Sequence, residues 1–166
     1  MANLKYLQHY PERIRDQAIQ MLKDGRLGAL LLSKYPVVHT YQSNRALYDY
    51  TINLKNTYLK KSSPLSKVEY SDKVSAINAL GVHSRISRIQ GSKLKSKKQI
   101  QIDSKLKAMP IEFLRMLVVH ELAHFKELDH NKAFYQLCLY MEPNYYQYEL
   151  DLRLYLTWLD ENPSIY

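Results

Sequence analysis

The sequence predicts an α+β fold in which helices come first, a small antiparallel sheet follows, and further helices close the chain. Three observations carry this. Apolar residues recur at helical spacing through the first sixty or so positions, short segments up to residue 103 alternate polar and β-branched residues instead, and from Pro110 the helical period returns. With 166 residues, 46% of them hydrophobic, the chain has material for one compact domain, 1–166, with a helical part over 1–62 and a mixed α+β core over 63–166.

The elements follow in order. Pro11 and Glu12 suit the first turn of a helix, since proline has no amide to leave unpaired and an acid complements the dipole. Ile14, Ala18, Met21 and Leu22 continue it, and Gly25 supplies a stop. A second short helix over "RLGALLLSKY" ends before Pro36, because the residue before proline avoids helical angles. Ser43 or Asn44 can cap a third, with Leu47, Tyr50, Leu54 and Tyr58 on one face. "KKSSPLSK", 60–67, breaks the pattern. Then "KVEYSDKV", "HSRISRIQ" and "KQIQID" read as half-exposed antiparallel strands. Pro110 and Glu112 open a helix through "PIEFLRMLVVHELAHFKEL", apolar around most of its circumference and therefore central. Asn131 caps "KAFYQLCLYM", and a last helix runs through "YYQYELDLRLYLTWLD".

Composition narrows the function classes. Cys138 is the single cysteine, so no internal disulfide forms, and a reducing, cytoplasmic setting is expected; its own role reads as packing. The longest apolar runs, "LGALLL" and "MLVV", are far short of the roughly 20 residues that span a bilayer. A net charge of +8 favours anionic partners such as nucleotides or nucleic acid.

The chemistry concentrates in "HELAHFKELDH", 120–130, which holds three of the six histidines. His120 and His124 lie one helical turn apart, so both imidazoles reach one ion, while Glu121 sits beside it with a carboxylate free to take a proton from water. His130 can join them only if the helix breaks, and "ELDHN" offers Asp129 and Asn131 as poor helix formers and good caps. Glu142 or Glu149 could serve as third ligand in its place. Imidazole nitrogens favour one zinc ion over magnesium or calcium, with manganese, cobalt and nickel compatible. His9, His39 and His83 read as ordinary surface or core residues.

The stretch "FLRMLVVHELAHFKELDHNKAFYQLCLYMEP", with "SRIQGSKLKSKKQIQIDSKLKAMP" before it, resembles the YgjP-like branch of metal-dependent hydrolases, relatives of WLM and SprT-like zinc peptidases. The resemblance implies a zincin-like fold, His120, His124 and His130 as zinc ligands and Glu121 as catalytic acid/base. Two departures stand out. Where many members carry Arg-Trp-Gly-Ser-Cys this chain has "RIQGS", and Glu127 occupies the place of the turn glycine of metzincins, so that label is declined.

Three functions compete. The first is a zinc metallopeptidase in which Glu121 serves as general base, with Tyr145, Tyr146, Tyr148 or Arg153 assisting the oxyanion. The second is a nucleoside triphosphate pyrophosphatase, which the resemblance associates with UTP and which the basic residues over 85–107 suit; Arg88, Lys97, Lys98, Tyr145 and Arg153 are the candidate substrate contacts. The third is a non-catalytic, zinc-stabilised module that docks on nucleic acid through the same basic segment.

Overall fold

The structure, a computed structural model, describes residues 4–80 and 98–166. Its elements run α1 (Glu12–Lys23), α2 (Leu27–Lys34), α3 (Asn44–Tyr58), β1 (Leu65–Ser71), α4 (Ala76–Ala79), β2 (Lys98–Asp103), a 3-10 turn (Ser104–Ala108), α5 (Ile111–Ala123), α6 (Lys132–Met141) and α7 (Tyr145–Leu159). Among the described residues no helix is long and apolar enough to cross a membrane.

The N-terminal helices are punctuated by local chemistry. After α1 the amide of Gly25 bonds the Leu22 carbonyl and that of Arg26 the Met21 carbonyl, a pairing that needs the positive φ of 67° at Gly25. Gly28 lets α2 lie against α7, because a Cβ there would come within 2.8 Å of the Trp158 ring. Of the two possible caps for α3, Ser43 accepts from the Ala46 amide at 3.1 Å, whereas Asn44 turns its side-chain oxygen to the Tyr70 amide of β1.

The sheet corrects the antiparallel expectation. β1 and β2 pair in parallel, with Val68 opposite Ile100 and Tyr70 opposite Ile102. Alternation of polar and apolar residues reports which face is buried and carries no direction; direction is set by the connection, and residues 72–97 are long enough for the crossover that parallel strands need. The strand expected over "HSRISRIQ" lies outside the described residues.

α5 occupies the centre. Phe113, Leu114, Met116, Leu117, Val118, Val119, Leu122 and Ala123 are all buried, covered by α3, α6, α7 and β2. This all-round burial has a chemical consequence, since a histidine one turn from the helix end is buried with it.

Candidate metal centre

Expected to run through "HFKEL", α5 instead stops at Ala123, with His124 as its C-cap. The stop has a local and a tertiary part. Nδ1 of His124 lies 2.9 Å from the Glu127 carbonyl, and Lys98 of β2 donates from Nζ to the Phe125 carbonyl at 2.8 Å, so backbone oxygens past the last turn are satisfied by side chains and not by a continuing helix. Asn131 then caps α6, its side-chain oxygen accepting from the Phe134 amide at 2.8 Å. The corner swings His130 back.

The three Nε2 atoms converge. His120 and His124 are 3.3 Å apart, His120 and His130 3.1 Å, and His124 and His130 3.0 Å. Tetrahedral nitrogen ligands at the usual zinc distance stand about 3.3–3.4 Å apart, so the triangle is near the size an ion requires. Chemistry agrees with size. Because Nδ1 of His124 faces a carbonyl it must carry the proton, which leaves a bare lone pair on Nε2 directed at the other two imidazoles. A shared cation is what makes such a cluster favourable.

Phe134, fully buried, forms the floor: its ring centroid lies 4.8, 4.6 and 4.8 Å from those of His120, His124 and His130. Exposure rises across the cluster, from buried His120 through half-buried His124 to exposed His130. Burial holds the His120 imidazolium well below the usual histidine range, and the neighbouring His124 and His130 push it further down. Partial burial of its ring within the cluster lowers His130 too, with Asp129 pulling the other way. Neutral imidazoles are the ligating form.

Glu121 follows His120 on α5 and is half-buried. Tyr145, one of the candidate substrate contacts, has 0% exposure; its hydroxyl lies 2.7 Å from Nδ1 of His120 and in turn hydrogen-bonds Cys138, whose thiol burial pushes up to about 12. Arg153, 4% exposed, donates to Glu149 at 2.9 Å and to the Tyr6 carbonyl at 3.1 Å. Neither side chain has surface to offer a substrate, and the hydroxyl of Tyr145 serves the histidine instead. Tyr148 is half-buried against Tyr35, and Tyr146 is 51% exposed. Lys98 is held at the Phe125 carbonyl, one residue from His124, while Arg88 and Lys97 lie outside the described residues.

The alternative third ligands are occupied elsewhere. Glu142 accepts from Arg115 at 2.9 Å and Glu149 from Arg153, which leaves the three histidines as the metal-sized donor cluster among the described residues. Sequence reasoning missed the floor and the backing of the cluster. The helical period places Phe134 three positions beyond the Asn131 cap, but nothing local assigns Tyr145 to His120, since 25 residues separate them.

The chain is similar to known proteins along most of its length. The family model described as "YgjP-like, metallopeptidase domain" matches residues 69–155, more than half of the chain. The chain belongs to the YgjP-like family. It is also 50% identical over 160 residues, 96% of each chain, to a protein of Escherichia coli (strain K12) named "UTP pyrophosphatase". No solved structure matches. Peptidases and pyrophosphatases both cleave with water, and the chain is an enzyme of that class, a metal-dependent hydrolase.

Proposed function

We propose that this YgjP-like chain hydrolyses nucleoside triphosphates, UTP foremost, to the monophosphate and pyrophosphate, with one zinc ion held by His120, His124 and His130. The convergence of three Nε2 atoms within 3.3 Å of one another carries the metal dependence. The substrate class is supported by the name of a relative half identical along nearly the full length, and by the net charge of +8, to which Lys98, Lys105 and Lys107 contribute. When bound, the ion supplies Lewis acidity that brings the pKa of a water down to about 7.

The chain's own groups do the rest. Glu121 takes the proton of the attacking water on a carboxylate oxygen, as general bases do at this spacing. The water oxygen bonds to the α-phosphorus, the bond from that phosphorus to its bridging oxygen breaks, and UMP and pyrophosphate leave with net release of a proton. Tyr145 accepts the Nδ1 proton of His120 and so keeps the Nε2 lone pair directed inward.

A second reading, peptide hydrolysis by the same ion and the same Glu121, is favoured by the metallopeptidase description of the family model. One experiment separates the two. The purified zinc protein is given UTP and a peptide mixture, with UMP, pyrophosphate and new amino termini measured. Formation of UMP and pyrophosphate supports the nucleotide reading, and its loss by about 10²–10⁴-fold in Glu121→Gln, with metal content retained, supports the general base. Peptide cleavage without UTP turnover selects the peptidase. Salt-sensitive nucleic-acid binding that ignores Glu121→Gln, with neither substrate cleaved, selects the non-catalytic module.

A further inference from the structure

The gradient of exposure across the three histidines gives the site a direction. With His120 buried and His130 exposed, a substrate approaches from the His130 end, and the side chains beside His130 meet the part of it that does not react. Those side chains are aromatic. The Tyr135 ring on α6 lies 6.4 Å from that of His130, and the Tyr146 ring on α7 lies 5.8 Å beyond it at an interplanar angle of 32°.

The two rings have different surroundings. Tyr135 is half-buried, wedged against Phe134 at 5.2 Å and Tyr145 at 6.4 Å, which fixes its plane. Tyr146 rests on Tyr135 and on Tyr145, at 5.7 Å, yet 51% of it remains in solvent. A rigid aromatic surface, anchored on one edge to the metal-site floor and open on the other, is suited to a flat, uncharged ring. The charge of a phosphate suits the lysines better. Every nucleobase has a π-face that such a surface can cover.

We propose that Tyr135 and Tyr146 form the wall on which the base of the nucleoside triphosphate stacks, while the phosphates lie at the histidines. This rests on the nucleotide reading above. A stacking wall holds a base without selecting its hydrogen-bonding edge, so it distinguishes nucleotides from bare polyphosphates more than one nucleotide from another.

The test uses the zinc protein and Tyr146→Ala, with Tyr146→Trp as the conservative variant, which keeps the π-face. Tyr146→Ala is expected to raise KM for UTP by roughly 5- to 150-fold, the worth of one stacked base, while KM for inorganic tripolyphosphate, which has no base, moves less than about twofold. Tyr146→Trp is expected to stay within about threefold of wild type for UTP. Equal effects of Tyr146→Ala on both substrates, or an unmoved KM for UTP, would overturn the wall and leave the hydrolase reading standing. Binding of UMP and of ribose 5-phosphate, measured by calorimetry on the same proteins, covers the converse. Should wild type fail to cleave UTP yet bind UMP in a Tyr146-dependent way, the hydrolase reading falls and the wall stands; absence of both turnover and UMP binding removes both.

Discussion

Replacing Tyr145 by phenylalanine deletes one hydroxyl, 2.7 Å from Nδ1 of His120, and leaves the buried ring in place. The loss acts twice. Without that oxygen the buried Nδ1 of His120 loses its side-chain partner, at a cost of about 1–3 kcal/mol to the folded state. In addition the tautomer that presents Nε2 to the ion is no longer enforced, and removal of such an outer partner typically lowers metal affinity by about 10- to 100-fold, or roughly 1.4–2.7 kcal/mol. Tyr145→Phe therefore binds zinc more weakly by that factor in competition with a chromophoric chelator, and its apo form melts below wild type. Since no substrate contact is removed, saturating zinc restores most of the turnover. A zinc affinity within twofold of wild type would refute the role assigned to the hydroxyl.

Other perturbations probe the frame around the site. Asn131→Ala removes the cap of α6 next to His130 and is expected to cost about 1 kcal/mol in urea denaturation, together with a measurable loss of zinc affinity. Gly28→Ala drives a methyl group to within 2.8 Å of Trp158 and is expected to lower stability by about 1–3 kcal/mol without altering zinc content; an unchanged melting temperature would count against close α2–α7 packing. His39 is held neutral by burial, the Leu106 carbonyl pulling the other way, so its folded pKa lies below the usual value near 6.5. Between those two values the unfolded chain binds more protons, so the stability from neutral His39 is complete above about pH 6.5 and is lost as pH falls through the folded pKa. The urea midpoint of wild type should thus drop more steeply from pH 7 to 5 than that of His39→Gln, and parallel slopes would contradict this.

What could be read in advance was whatever depends on neighbours in the chain. The helical period marked α1, α3, α5 and α7, the His-Glu-x-x-His spacing marked two of the three histidines that converge, and Asn131 marked the start of α6. Strand direction escaped because β1 and β2 meet across a long connection, and alternation looks the same either way along a strand. The end of α5 escaped for a related reason: the donor at the Phe125 carbonyl is Lys98, 27 residues upstream on another element. Tyr145 was one of fifteen tyrosines, and only the packing of α7 on α5 singles it out as the partner of His120.

The corner between α5 and α6 also bears on how the protein reaches its working form. Its histidines all come from eleven successive residues, so bringing the outermost two together closes a span of ten positions at an entropic penalty on the order of 2 kcal/mol. Capture of the ion then asks little of the distant N-terminal helices, and the corner can knit before they dock.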